Sequence, residues 1–296
     1  MPPMERLRVA IAQTNPRLGD LSHNLSDHLE RIEEATAEGA DLIVFPELSL
    51  TGYFLKDQVF EVALGTDASE FEPLLEASQR ASVVAGFVEH SPEGRLYNSL
   101  GLFEDGALRG VHRKVHLVSY GMFDEGRDFA AGESFDAFTS KHAKLGPLLC
   151  EDMWHTPSAY THFLNDVDAI VCSSASPARG VEPHAEPGAP ASQRTWDLLI
   201  RSQALLYRTY VVYVGRVGWE DGIGFGGASC VVDPYGDVIA RLDPFEPGMK
   251  LVELDGRALA RSRFETPLRR DEKPWVLASA LARHLPGWTP PTETTE

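Results

Sequence analysis

The decamer GPLLCEDMWH, residues 146–155, ends a short apolar run with a cysteine and follows it at once with two carboxylates. Read from residue 143, AKLGPLLC has the length and apolar density of a buried strand. Cys150 therefore stands at a strand end, with Glu151 and Asp152 directly behind it. A cysteine reacts as the thiolate, and nearby negative charge raises a thiol's pKa. Either Cys150 is an inert core residue, or it is a nucleophile activated from elsewhere and its acidic neighbours have another task.

The pattern around this stretch is that of a layered α/β domain. LRVAIAQ (7–13) and ADLIVFPE (40–47) read as buried strands. Between them Leu25, Leu29, Ile32 and Ala35 recur at helical spacing from Asn24, and Gly39 is placed to end that helix. FEPLLEASQRA (71–81) reads as helix. SVVAGFVE, NSLGLFE and ALRGVHRK follow as strands, the last two joined by an Asp105-Gly106 hairpin turn. DAIVCSS, TYVVYVGRVG, GASCVVDP and VIARLD are further strands, and WDLLIRSQALLYR (196–208) carries a helical apolar stripe. Helices mixed with many strands, several in hairpins, predict packed layers with mixed sheets. Residues 179–191, rich in Pro, Gly and Ala, predict a long active-site or subunit-contact loop. The expected domain spans 5–265. The extension 266–296 is expected to pack on a partner subunit or to be disordered, with fraying or docking after Pro286.

Composition narrows the class. The chain has 296 residues, 43% hydrophobic and 24% charged, ample for a buried core. Lys+Arg is 27 against Asp+Glu 44, a net charge of −17. Such a surface argues against nucleic acid or an anionic membrane as partner. Cys150, Cys172 and Cys230 lie far apart and in odd number, which fits neither a disulfide framework nor a zinc site. The opening MPPMERLRVAIAQ lacks the pattern of a signal peptide, and no apolar run is long enough to span a bilayer. A cytoplasmic setting is expected.

Two more strand ends carry reactive groups: Glu47 in LIVFPELSLTG and Lys114 in GVHRKVHLVSYG. In α/β sheets, sites gather at strand ends. Attack on an amide or nitrile carbon needs a nucleophile, a base for its proton and a cation for the developing oxyanion. Cys150, Glu47 and Lys114 can fill these roles, with Lys114 lowering the thiol pKa against the local acids. Spacing alone does not bring the three together. Cys172 and Cys230, inside apolar strands, read as core. No histidine pair has metal-binding helical spacing, although a cysteine–histidine pairing of Cys150 with His155 or His184 is an alternative. Asp152 reads as a cap for the turn after Cys150, and Trp154 as a pocket wall or core residue.

The ordered set FPELSLTGY, HRKVHL and LLCEDMW, with the later GASCVVDPYGDVIA, resembles the nitrilase, or carbon–nitrogen hydrolase, superfamily over about residues 7–255. The resemblance implies a four-layer α-β-β-α sandwich that usually dimerises, and a Glu-Lys-Cys triad on Glu47, Lys114 and Cys150. It also implies a second glutamate, best matched by Glu125, that orients Lys114 or the attacking water.

Within that superfamily NPRLGDLSHN, ELSLTGYFLKD, KVHLVSYGMFDEGRDF, CEDMW and SSASPARG are most similar to the glutamine-hydrolysing domain of glutamine-dependent NAD synthetases. That likeness implies that Glu151 and Tyr120 hold the α-amino and carboxylate ends of glutamine, with Ser176 adding a contact. The chain departs from the group in two ways. VSYG stands where PNYG is usual, and no Gly-rich ATP-pyrophosphatase loop is present; GIGFGG (222–227) precedes a strand rather than opening a helix. The expectation is a metal- and cofactor-free amidase acting on glutamine or a similar ω-amide, with a broader aliphatic amidase or N-carbamoyl amine hydrolase as the alternative. It is expected to stand free or to supply ammonia to a separate synthetase, as a homodimer or higher homo-oligomer.

Overall fold

A computed structural model describes residues 3–180, 190–285 and 287. In chain order the strands are β1 (Arg6–Gln13), β2 (Leu42–Val44), β3 (Ser82–His90), β4 (Leu96–Glu104), β5 (Ala107–Arg113), β6 (Phe138–Thr139), β7 (Lys144–Leu149), β8 (Ala169–Ser174), β9 (Tyr210–Gly215), β10 (Gly218–Glu220), β11 (Ile223–Phe225), β12 (Cys230–Val232), β13 (Val238–Arg241) and β14 (Gly248–Asp255). The helices are α1 (Leu21–Ala37), α2 (Glu72–Ala77), α3 (Glu125–Asp128), α4 (Thr156–Leu164), α5 (Ala191–Tyr207), α6 (Gly256–Glu265), α7 (Leu268–Asp271) and α8 (Pro274–Leu281).

Two six-stranded mixed sheets result, in the orders β14-β1-β2-β3-β4-β5 and β13-β12-β9-β8-β7-β6. Successive side chains of a strand point to opposite faces. In β1, Val9 and Ile11 face the second sheet and pack with Leu145, Val171, Val212 and Val231. Ala10 and Ala12 face outward, onto Ile32 and Ala35 of α1 and Leu74 of α2. The second sheet repeats the arrangement, with Leu148, Ile170, Cys172 and Val211 outward onto Ala159 of α4 and Trp196, Ile200 and Ala204 of α5. The layers are therefore α-β-β-α. Both faces of each sheet are covered, which is why the central strands read as continuous apolar runs.

The pairing directions position the site. Strands β1, β2 and β3 are parallel, and β3-β4-β5 are antiparallel, so β5 runs with β2. Strands β7, β8 and β9 are parallel in the other sheet. The carboxyl ends of β2 and β5 thus lie on one edge of the first sheet, and those of β7 and β8 on one edge of the second.

Local chemistry shifts several expected boundaries. Helix α1 begins at Leu21, three residues before Asn24, because the Asp20 carboxylate caps it by accepting from the His23 amide at 3.0 Å. Helix α5 begins at Ala191, so the last residue of the expected loop is the helix's first; residues 181–189 lie outside those described. GIGFGG contributes β11 and opens no helix. The described part of the 266–296 extension is helical. Helix α7 is tied to the domain by Arg269, whose guanidinium donates to Asp166 at 2.8 Å, while Trp275, Val276 and Leu277 of α8 are exposed. Pro286 and residues 288–296 lie outside the described residues. Among those described, no helix is long and apolar enough to cross a membrane.

Gly86 of β3 lies where the 46–48 turn crosses the sheet. A Cβ there would meet the Leu48 amide nitrogen and come within 2.7 Å of the Pro46 carbonyl oxygen, both backbone. Gly86→Ala is predicted to lose about 1–3 kcal/mol of stability, the usual cost of overpacking. Urea denaturation measures it, and an unchanged midpoint would mean that the turn does not depend on this close approach.

Candidate active site

Glu47 lies three residues beyond β2 and is fully buried. Its Oε1 accepts from Lys114 Nζ at 2.7 Å and from Asn98 Nδ2 at 2.7 Å; its Oε2 accepts from the Ala175 amide at 2.8 Å. Lys114 follows β5 directly and is also buried. Its Nζ donates a second bond to Glu125 Oε1, at 2.7 Å. Glu125, the first residue of α3, is held in turn by the Tyr53 hydroxyl at 2.6 Å and the Val118 amide at 2.8 Å. Burial works against the Lys114 charge, but Glu125 and Glu47 outweigh it and hold the ammonium's pKa well above its ordinary value. Burial raises the pKa of Glu47; Lys114 opposes the rise and Glu125 adds to it.

Cys150 follows β7 directly and lies in the left-handed region, with φ +42°, a conformation that costs a non-glycine residue energy and turns the chain sharply into a short 3-10 helix. The Ser174 hydroxyl donates to Cys150 Sγ at 3.2 Å. Because Ser174 touches Cys150 and the next residue, Ala175, touches Glu47, the end of β8 joins the two. The structure therefore brings Glu47, Lys114, Glu125 and Cys150 together. It corrects the electrostatics expected for the thiol. Burial and then Glu47 push the Cys150 pKa far above the ordinary thiol value, and the opposing pull of Lys114 and the Ser174 hydroxyl is too small to offset them. The acid that matters is Glu47, not Glu151 or Asp152.

Cys150 opens onto a cavity of about 240 Å³ lined also by Glu151, Tyr120, Ser176, Trp154 and Trp196. The Tyr120 hydroxyl donates to Glu151 Oε2 at 3.0 Å and lies 3.1 Å from Oε1. Burial and the carboxylate push the phenol's pKa up to about 12, so it stays a donor. Ser176 Oγ accepts from Trp196 Nε1 at 2.8 Å, and Trp154 meets the Trp196 ring edge to face at 5.4 Å. Trp154 is thus a pocket wall.

The carbon–nitrogen hydrolase profile matches residues 8–263. This chain belongs to the carbon–nitrogen hydrolase family. It is 34% identical over 272 residues to a glutamine-dependent NAD(+) synthetase of Thermotoga maritima, covering 90% of this chain and 45% of that protein. The hydrolase thus spans about half the length of such curated relatives. A probable nitrilase of Schizosaccharomyces pombe is 29% identical, covering 88% of this chain and 94% of that one. Among solved structures, the glutamine-dependent NAD+ synthetase of Acinetobacter baumannii superposes with a TM-score of 0.77 at 29% identity, over 86% of this chain and 47% of that one. A carbon–nitrogen hydrolase of Helicobacter pylori shares the fold, with a TM-score of 0.82 at 22% identity over 95% of this chain and all of that one.

Among the described residues of this hydrolase, the histidines do other work than a cysteine–histidine pair would require. His155 stacks on His116 at 3.6 Å and 4°, with its Nε2 3.6 Å from Glu151. No histidine among the described residues is hydrogen-bonded to Cys150, and His184 lies outside those residues. Cys172 and Cys230 are buried in the layer between sheet and helices. Among the described residues, no group of three or more His, Cys, Asp or Glu could hold a metal ion.

Asp152 does cap the turn, accepting from the Leu149 amide at 3.2 Å, but sequence reasoning missed its larger task. Its carboxylate also accepts from the Val115 and His116 amides at 3.2 and 2.9 Å, and bonds His112 Nε2 at 3.0 Å and His116 Nδ1 at 3.1 Å. These groups flank Lys114, so Asp152 ties the lysine's strand end to the cysteine's. The available signal was HRKVH itself, whose histidines bracket Lys114 four residues apart.

Burial alone would raise the Asp152 pKa. The hydrogen bonds from His112 and His116 outweigh it and hold the carboxyl well below the usual range. A carboxyl whose folded pKa is depressed contributes stability above its unfolded value, near ~3.9, and loses it as pH falls through the lower folded value. Asp152→Asn is predicted to cost about 1–3 kcal/mol at pH 7, as when buried donors lose a charged hydrogen-bond acceptor. Urea titrations of both proteins at pH 7 measure this. A loss under ~1 kcal/mol would leave Asp152 as a simple cap.

Proposed function

We propose that this carbon–nitrogen hydrolase cleaves the terminal amide of glutamine, or of a close ω-amide, through a thioester on Cys150. Glu47 takes the thiol proton as sulfur attacks the amide carbon, and Lys114 Nζ, with a backbone N–H beside Cys150, stabilises the oxyanion. Glu47 returns the proton to the departing ammonia. It then deprotonates the water that hydrolyses the thioester, restoring the thiol and releasing the carboxylic acid. Glu125 holds Lys114 in place throughout. The raised pKa of the thiol supports this order of events, because the nucleophile is neutral until a base relieves it.

The observation that carries the substrate reading is a single small cavity lined by both Cys150 and Glu151. A carboxylate held by Tyr120 at that wall suits an α-ammonium group, and a site built around it rejects amides that lack one. The full-length relatives, whose names include glutamine dependence, support the same substrate. Ser176 helps to shape the wall through Trp196. The ammonia then either leaves or serves a separate synthetase. We also place the enzyme in the cytoplasm as a homodimer. The large apolar side chains exposed on α5, α6 and α8, among them Leu198, Leu206, Phe264 and Trp275, support a second copy as partner.

Ammonia release across glutamine, aliphatic amides and N-carbamoyl amines tests the substrate. Glutamine is expected to lead, and Glu151→Gln is expected to lower its kcat/KM about 10- to 100-fold, the worth of a charge-assisted hydrogen bond. Glutamine left inert, with Glu151→Gln harmless to the best substrate, would favour the broader amidase.

The base and the intermediate can be read separately. Glu47 must be ionised to act, and its pKa is raised, so kcat/KM is expected to climb with pH through a step above the ~4.3 of a free glutamate. A profile flat from pH 4 to 7 would contradict Glu47 as base. Quenched turnover should show an acyl adduct on Cys150 by mass spectrometry, and undiminished activity in Cys150→Ala would overturn the mechanism.

A further inference from the structure

Among the residues that line the Cys150 cavity, two carry formal charge at neutral pH: Glu151 and Arg179. Arg179 lies in SSASPARG, just beyond β8, and its backbone is pinned on two sides. The Ala178 amide donates to the Gly224 carbonyl at 2.9 Å. The Arg179 amide donates to Ser192 Oγ at 3.1 Å, and its carbonyl accepts from the Ser192 amide at 3.0 Å. From this anchor the side chain reaches the loop that carries Tyr120. Its guanidinium lies 5.9 Å from the centre of the Phe123 ring, and a Cβ on Gly121 would come within 3.4 Å of one of its nitrogens. Phe123 lines the same cavity.

The charge balance makes this position informative. The chain has 27 cationic side chains against 44 acidic ones, and no described carboxylate forms an ion pair with this arginine. The first turn of α5, carrying Ser192 and Thr195, lines the cavity on the same side, so the positive end of a 17-residue helix adds to the field. The cavity thus presents one anion, Glu151, and one planar cation with a bidentate fork suited to a carboxylate. The Tyr120 hydroxyl is spent on Glu151, which leaves it ill placed to receive a second carboxylate.

Building on the glutamine reading, we infer that Arg179 is a specificity-determining residue that clamps the substrate's α-carboxylate opposite Glu151, so that the site reads the zwitterion as a pair of charges. Tyr120 then serves the ammonium side, by orienting Glu151. The clamp acts on binding and not on the reacting carbon.

The test compares two substrates, L-glutamine and 4-aminobutanamide, which keeps the ω-amide and the amine but lacks the carboxylate. Wild type is expected to prefer glutamine. Arg179→Gln is expected to lower kcat/KM for glutamine about 10- to 100-fold, mostly through KM, and to leave 4-aminobutanamide within about twofold. Arg179→Lys should recover part of the loss, since it restores charge without the fork. Circular dichroism and thermal midpoints of the variants confirm folding. Equal losses on both substrates, or a wild type that turns over both equally, would overturn the clamp while leaving ω-amide hydrolysis standing. So would glutamine kinetics unchanged in Arg179→Gln. A wild type inert towards glutamine would overturn the substrate reading and the clamp together.

Discussion

A single ammonium group, Lys114 Nζ, organises the site. It is fully buried and shared between two carboxylates, Glu47 and Glu125, each at 2.7 Å. An isolated charge in such a place would be untenable, and breaking a buried pair typically costs about 3–5 kcal/mol. The surrounding structure reads as a set of supports for this arrangement. Asn98 and the Ala175 amide satisfy Glu47, Tyr53 and the Val118 amide satisfy Glu125, and Asp152 fixes the strand end from which Lys114 projects. Even the hairpin β10–β11 contributes. Glu220, paired with the buried Arg216, accepts from the Tyr53 and Phe54 amides at 3.0 and 2.9 Å and so steadies the tyrosine that holds Glu125.

This arrangement explains how a thiol with a strongly raised pKa can serve as the proposed nucleophile. Many reactive cysteines are activated by a cation that stabilises a resting thiolate. Here Lys114, the cation that acts on the thiol, is already shared by two carboxylates, and burial adds to the cost of ionising sulfur. The same burial raises the Glu47 pKa, which makes the ionised carboxylate a stronger proton acceptor than a free one. Charge then appears on the reacting atoms mainly during attack, when the Lys114 ammonium has an oxyanion to meet. A neutral resting thiol also has little thiolate character to oxidise.

Much of this was legible in the sequence, and what was not has a physical cause. The strands showed because both faces of each sheet are covered, so β1, β3, β8 and β9 are nearly unbroken apolar runs. Glu47, Lys114 and Cys150 stood out because each follows such a run, and the family motifs tied them together. Strand β14 was not singled out: it lies at a sheet edge and alternates with charged residues such as Lys250 and Glu253. Helix α4 has nine residues and only a weak apolar stripe. The start of α5 was obscured by a loop-like composition around Pro190. The thiol's electrostatics were misjudged because proximity in sequence favoured Glu151 and Asp152, whereas the fold points Asp152 at the histidines and Glu151 at the cavity. Glu47, 103 positions before Cys150 in the chain, is the acid that acts on it.

The placement of charge divides the site into two compartments with different physics. Glu47, Lys114 and Glu125 occupy a dry inner compartment, where every ionised group has its partner in the protein and interactions are strengthened by the low dielectric. Glu151 and the exposed Arg179 line the cavity outside that cluster, where an entering ligand meets two charges of opposite sign. A zwitterion fits this division only in one direction, with its charges outside and its neutral amide within. The reverse orientation would bury an ammonium or a carboxylate beside an ion cluster that has no unpaired group to receive it. Orientation of the substrate therefore follows from where the protein has already spent its buried charge, and the proposed selectivity at the mouth and chemistry at Cys150 become consequences of the same constraint.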